Sequence, residues 1–459
     1  MKKIMSILVV GVFIINGFGA VSSNARKSKV TPNEACVIEE YDLIIISPDK
    51  FKSGIQPLIN HKISHGVRTY LKITEDIYNE FTGADKPEQI KYFIKNAKEN
   101  WNISYVLLIG DFRQIPIRYC HNNDNFQSMD SRFVSDLYYA DIYDNTGTFC
   151  SWDNNNDGIY GGWEGDQAQD TNISLTPDVA VGRLACRNKV EVKIVANKII
   201  NYEKNTYGSD WFKNMVVAGG DTYSEAGGYV GDQYNEYEGE VATEKATKII
   251  PNFNHIKLWA STGNLTTINL IKAINKGCGF LYLSGHGNPN VWLTHPPNST
   301  EKVGNLPTPL MSFLVNQYKL PVCIVGGCHN SQLDVSLLKL LEDPWYFSTW
   351  VPECWSWKIT SKPFGGAIAT IGNTGLGWHG LEYGSQGGNN WLNIQFFREY
   401  ANGTQIIGQI WKNAINQYLK EFPIDWSTPA GETSSLDAKT VQEWVLLGDP
   451  SLKIGGYSS

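Results

Sequence analysis

Apolar residues in this chain come in short unbroken runs, separated by stretches in which they recur every three or four positions. The first run is Leu43-Ile44-Ile45-Ile46, inside the segment 41–48, and Phe51, Ile55, Leu58 and Ile59 follow at helical spacing over 51–61. An unbroken run of this length reads as a strand buried on both faces, and the spacing after it as an amphipathic helix. The pattern continues with strand 68–73, helix 87–100, strand 105–109, strand 178–184 and helix 189–203. It resumes with strand 215–221, helix 233–250, strand 255–259, helix 266–276, the runs 279–283, 321–325 and 366–371, and helices 391–400 and 405–420. Strands alternating with helices predict an α/β fold: two adjacent doubly wound subdomains, 41–205 and 206–456, with mostly parallel sheets covered by helices.

One arrangement occurs twice in the second half. Gly279-Phe280-Leu281-Tyr282-Leu283 runs into Ser284-Gly285-His286-Gly287, and Pro321-Val322-Cys323-Ile324-Val325 runs into Gly326-Gly327-Cys328-His329-Asn330. Each reads as a buried strand entering a glycine-flanked loop. Ligands bind beyond the carboxyl ends of strands in open α/β sheets, so a histidine and a cysteine are expected along one rim. A third strand, 215–221, delivers Asp221 to the same rim. An imidazole beside a thiol forms the thiolate and later protonates a leaving group, and bracketing glycines let backbone N–H groups reach an oxyanion. Cysteine-nucleophile hydrolysis is the expectation, set against packed core residues and against a zinc site on His286, Cys328 and His329. No Cys-x-x-Cys pair or His-Glu-x-x-His supports the zinc reading.

Composition narrows the setting. The 459 residues are 42% hydrophobic and 12% aromatic, enough for a large core. A net charge of −7 gives no electrostatic reason for a nucleic-acid or anionic-membrane partner. Residues 1–25 read as a secretory signal: Lys2 and Lys3, an apolar core over 4–18, then Ser23-Asn24-Ala25. That core is short of the roughly 20 residues of a spanning helix, so cleavage, export and a secreted, extracellular product free of the membrane are expected, with 26–40 as a short N-terminal segment. Of the eight cysteines, Cys278 and Cys323 lie in or beside core strands and are expected as buried thiols.

Asp153-Asn154-Asn155-Asn156-Asp157-Gly158, continuing Ile159-Tyr160-Gly161-Gly162-Trp163-Glu164, has the spacing of a twelve-residue calcium loop. Side-chain oxygens of Asp153, Asn155 and Asp157, the Ile159 carbonyl and a closing Glu164 would hold a structural calcium ion. The same string also suits a solvated turn cluster, since Asn, Asp and Gly favour turns.

The apolar strand ending in His286-Gly287 and the second ending in Cys328 resemble the caspase-like cysteine peptidases, and their surroundings are most similar to the gingipain family. The segment 277–290 carries that likeness. So do Ser135-Asp136-Leu137-Tyr138-Tyr139, Val181-Gly182-Arg183-Leu184 with the helix ending at Tyr202-Glu203, and Trp444-Val445-Leu446-Leu447-Gly448-Asp449-Pro450-Ser451-Leu452, all in the family's order. The resemblance spans about 41–454 and implies a caspase-like fold and a cysteine-type endopeptidase acting on polypeptides. Carried over residue by residue, it implies Cys328 as nucleophile and His286 as acid and base, with the N–H groups of Gly287 and Cys328 on the oxyanion. Asp221 falls where the family has a histidine-orienting Glu, and turn or cap residue is its other reading. Glu240 falls near the family's arginine-selecting acid, which would favour cleavage after Arg or Lys; a solvated acidic face with Glu236, Glu238 and Glu244 is the alternative. Trp378, in the glycine-rich loop after Ile371, is a candidate pocket wall or a core residue. Two other functions stay open: a catalytically inert, calcium-stabilised binding or adhesion protein, and a cysteine transpeptidase.

Overall fold

The computed structural model describes residues 40–123, 131–222, 237–297, 299, 301–336, 351–378 and 387–458. The segment 1–25, all but the last residue of 26–40, and the start of the helix expected from 233, with Glu236, lie outside them. Four parallel strands form the first sheet: β1 (Leu43–Ser47), β2 (Thr69–Ile73), β3 (Tyr105–Ile109) and β4 (Ala180–Leu184), in the order β2-β1-β3-β4. The second contains β5 (Asn214–Gly219), β6 (Asn254–Trp259), β7 (Phe280–Ser284), β11 (Val322–Gly326), β12 (Ala369–Asn373) and β13 (Trp444–Leu447). Its order is β6-β5-β7-β11-β12-β13, parallel except for β13. Between β7 and β11 stands a three-stranded antiparallel arm: β8 (His286–Asn288), β9 (Val291–Thr294) and β10 (Val303–Pro307).

The helices start and stop where their ends can be satisfied. In α2 (Lys86–Trp101), the Asp85 side chain accepts from the Glu88 N–H and Pro87 occupies the first turn, where its missing donor costs nothing. Asn188 accepts from the Val190 and Glu191 N–H groups to start α3 (Lys189–Asn205). Helix α1 (Lys52–Ser64) packs against α3, α4 (Glu238–Ile249) lies against β5, and α5 (Thr267–Lys276) is begun by Thr266. Helices α6 (Gly388–Ala401), α7 (Ile407–Glu421) and α8 (Thr433–Gln442) complete the cover. Among the described residues no helix is long and apolar enough to cross a membrane.

β1, β7 and β11 are buried at every position, as their apolar runs require. Cys278 and Cys323 are fully buried free thiols. The glycine-flanked loop expected at His286 is instead the first strand of the arm. Pro289 and Asn290 form its two-residue turn, with Asn288 paired to Val291 and His286 to Leu293.

The sequence landmarks meet in buried ion pairs. Arg183 Nε and Nη2 each donate to the Asp136 carboxylate at 2.7 Å, and Nη1 reaches the Ile115 carbonyl at 2.9 Å. Lys62 lies between Glu203 Oε1 at 2.8 Å and Asp449 Oδ2 at 2.7 Å, while His61 Nε2 is 2.9 Å from Glu203 Oε2. Burial alone would push Glu203 up; Lys62 and His61 outweigh it and hold the carboxyl below its ordinary value.

Candidate active site

Register puts three strand ends on one level. Ser284 of β7 pairs with Gly219 of β5 on one side and Gly326 of β11 on the other. Two residues beyond that row stand Asp221, His286 and Cys328. Adjacent strands lie about 4.8 Å apart, so the three chains leave the sheet side by side along one rim.

The His and Cys ends interlock. The Gly285 N–H donates to the Gly326 carbonyl at 2.8 Å, and Asn330 Nδ2 donates to the Asn288 and Val291 carbonyls at 2.8 and 3.0 Å. A Cβ on Gly287 or on Gly327 would collide with Asn330 Oδ1, so this approach requires both glycines. His329 has a φ of +58°, a left-handed conformation costly for a residue with a side chain, and its N–H donates to the Gly375 carbonyl. Cys328 and His286 remain partly exposed while His329 is buried.

Asp221 is fully buried, and the chain comes back to it at His295. The Asp221 N–H donates to the His295 carbonyl at 2.8 Å and the Thr294 hydroxyl to the Asp221 carbonyl at 2.7 Å. The Asp221 carboxylate lies 3.9 Å from His295 Nδ1, and His295 Nε2 lies 3.2 Å from His286 Nε2. His295 therefore stands in a row between the other two. Reading the sequence missed it, although Asn288-Pro289-Asn290 is a turn signal and the strand after it returns toward His286. Glu238, at the start of α4, accepts from the Thr222 N–H at 3.1 Å. Burial, with the Asp221 carboxylate beside it, pushes Glu238 up to about 8.

Glu240 is not on a solvated face. It is buried, Ser261 donates its N–H to Oε1 at 2.8 Å and its hydroxyl to Oε2 at 2.6 Å, and burial raises its pKa. The reason is local: α4 begins tight against the end of β5, where Gly239 donates to the Gly220 carbonyl and turns Glu240 inward. Trp378 is partly buried, its carbonyl accepting from the Asn389 N–H.

In the loop expected to take calcium, the side-chain oxygens accept from the loop's own N–H groups. The Asp157 N–H donates to both Asp153 Oδ1 and Asn155 Oδ1, the Gly158 N–H to Asp153 Oδ2, and the Ile159 N–H to Asp157 Oδ1. Asp170 braces the loop through the Asn154 and Gly162 N–H groups. Glu164 stands in the adjoining two-residue strand Trp163–Glu164, exposed. Among the described residues no group of three or more His, Cys, Asp or Glu is arranged to hold a metal ion, so a cation here would depend on Asn155 and the Ile159 carbonyl as well as the carboxylates.

A family model described as peptidase family C25 matches residues 38–455. Gingipain R2 of Porphyromonas gingivalis is 23% identical over 444 residues, which are 95% of this chain and 49% of that protein. Gingipain R1 from the same organism is 22% identical over 416 residues, 90% of this chain and 34% of that protein. The chain thus spans about half the length, or less, of these curated relatives. The crystal structure of the Arg-specific cysteine proteinase gingipain R superposes with a TM-score of 0.61 at 19% identity, covering 90% of this chain and 78% of that one. A structure described as a protease gives 0.57 at 15% identity over 90% and 78%. These likenesses establish the caspase-like fold.

Proposed function

Because the chain belongs to peptidase family C25, we propose that it is a secreted cysteine endopeptidase that cleaves after Arg or Lys through Cys328 and His286. The observation that carries this reading is the register of β5, β7 and β11, which brings the chain ends leading to Asp221, His286 and Cys328 side by side, with the arm that begins at His286 pinned by Asn330 to the turn that carries Cys328.

In the proposed reaction, His286 takes the thiol proton and Cys328 Sγ attacks the scissile carbonyl carbon. The C–S bond forms as the carbonyl π electrons move to oxygen, where the N–H groups of Gly287 and Cys328 would stabilise the oxyanion. His286 then gives its proton to the amine as the C–N bond breaks, leaving a thioester. Water, deprotonated by His286, attacks the thioester, and the thiolate leaves and is reprotonated. A polypeptide is the substrate, and an amine acting in place of water would make the protein a transpeptidase.

For specificity, Glu240 is the acidic group to test first. Ser261 holds both of its oxygens, so pairing with a basic side chain would require Ser261 to yield one of them. Trp378 would form a wall. Calcium would be held by Asp153, Asn155, Asp157, the Ile159 carbonyl and Glu164, stiffening the loop without entering the reaction; calorimetry showing no calcium uptake would remove it. Export rests on the sequence of residues 1–25 and is tested by the N-terminus of protein recovered from medium.

The deciding experiment is hydrolysis of peptide amides with Arg, Lys, Asn, Asp or Leu before the scissile bond, with and without calcium, beside Cys328→Ala. Cleavage after Arg or Lys that is lost in Cys328→Ala is expected. Turnover by that variant, or none by the folded wild type, would overturn the proposal.

A further inference from the structure

His295 contacts both Asp221 and His286, and the reaction as written gives it no part. Its carbonyl accepts from the Asp221 N–H while the neighbouring Thr294 hydroxyl donates to the Asp221 carbonyl, and its ring lies nearly parallel to that of His286, 11° between planes. The side chain is 13% exposed. Its hydrogen bonds fix which nitrogen carries a proton. His295 Nδ1 is 2.9 Å from the Pro296 carbonyl oxygen, which can only accept, so Nδ1 bears hydrogen. Nε2 of a neutral His295 is then bare. The 3.2 Å contact between the two Nε2 atoms needs one hydrogen, and His286 must supply it.

We propose that His295 is a positioning residue for His286, accepting its Nε2–H so that Nδ1 is the basic nitrogen offered to the Cys328 thiol. This rests on the reading of Cys328 and His286 as the reacting pair. No proton leaves for His295. The thiol proton moves to His286 Nδ1, the Nε2–H stays on His286, and the resulting imidazolium remains hydrogen-bonded to His295, with the Asp221 carboxylate on the far side of that ring. The chain thus places an imidazole between the carboxylate and the reacting histidine, where a longer acidic side chain could make the bond directly. The Asp221 carboxylate, 3.9 Å from His295 Nδ1, is a nearby charge rather than the hydrogen-bond partner of that nitrogen, whose proton goes to Pro296.

Two measurements separate this role from the reading beneath it. With the protein labelled by 15N-histidine, His286 is expected as the Nε2–H tautomer in the wild type, and that preference is expected to be lost in His295→Phe, which keeps a ring but no acceptor. An Nδ1–H tautomer on His286, a His295 carrying both protons, or a spectrum unchanged by His295→Phe overturns the proposal whether or not Cys328 is the nucleophile. On a peptide amide, His295→Phe is expected to lower kcat about 100-fold with KM unchanged, and His295→Gln, whose amide can accept from His286 and donate to Pro296, to return within about tenfold of wild type. Wild-type kcat in His295→Phe, or no recovery in a folded His295→Gln, removes the role. Full activity in Cys328→Ala removes the reacting pair, and His295 with it, while leaving the tautomer result to stand as structure alone.

Discussion

Lys62, Glu203, His61 and Asp449 close a set of ion pairs inside the protein, and Arg183 with Asp136 closes another; all six side chains are buried. On the rim of the second sheet, Asp221, His295 and His286 also form a row of polar side chains, but its last member is partly exposed beside a partly exposed Cys328. Four charged residues that sequence likeness singles out as landmarks, Asp136, Arg183, Glu203 and Asp449, belong to the closed sets. One set ties α1, α3 and the chain after β13 together and the other ties β4 to the segment around Asp136, whereas the rim leaves His286 and Cys328 partly open to solvent. Likeness to a family therefore marks what keeps the scaffold in register as strongly as what performs the chemistry.

The sharpest separation comes from two substitutions. Cys328→Ala is expected to lower peptide-amide hydrolysis by about 10⁴-fold or more while leaving the unfolding midpoint in denaturant unchanged. Lys62→Met should do the reverse. It leaves Glu203 and Asp449 buried without their cation, a loss of about 3–5 kcal/mol in denaturant unfolding, with activity per folded molecule retained. Equal loss of activity in both would erase the distinction between the two regions.

Gly287→Ala lies between these extremes. The added methyl meets Asn330 Oδ1, so the arm and the turn pinned to it must part, at about 1–3 kcal/mol and a fall in kcat of about tenfold or more. Retained kcat would show that the pinning is structural only.

The smallest effect is one of pH, and its sign differs between the regions. Glu203 is held below its ordinary value, so its contribution is present above about 4.5 and is lost as pH falls through its folded pKa. Glu238 is raised to about 8, so its contribution is full below about 4.5 and is lost as pH rises toward 8. Glu238→Gln is expected to flatten the decline in stability between pH 5 and 8, by on the order of 1 kcal/mol once solvent screening at this partly accessible group is allowed for. A decline that persists in the variant would assign it to another group.

The parallel strands were legible because burial on both faces writes itself as an unbroken apolar run: 105–109 agrees with β3 at both ends, and 279–283 with β7 within one residue. The antiparallel arm was not, since β8 to β10 are three to five residues long and half-exposed, and β8 and β10 are rich in Asn, Gly and Pro. Helix α8, Thr433–Gln442, went unread because its buried face is largely polar: Ser435, Asp437, Lys439 and Gln442 are all covered by neighbours.

The sequence alone determined that a histidine and a cysteine end two buried strands, and that an aspartate ends a third. Those are consequences of local spacing and side-chain type. Only the tertiary structure decided that Ser284 pairs with both Gly219 and Gly326, which turns three separate strand ends into one row. It likewise decided that His295 stands between Asp221 and His286, and that Glu240 faces Ser261. Such partners are fixed by strand register and by the packing of a helix end against a sheet, and neither leaves a period in the chain that names them.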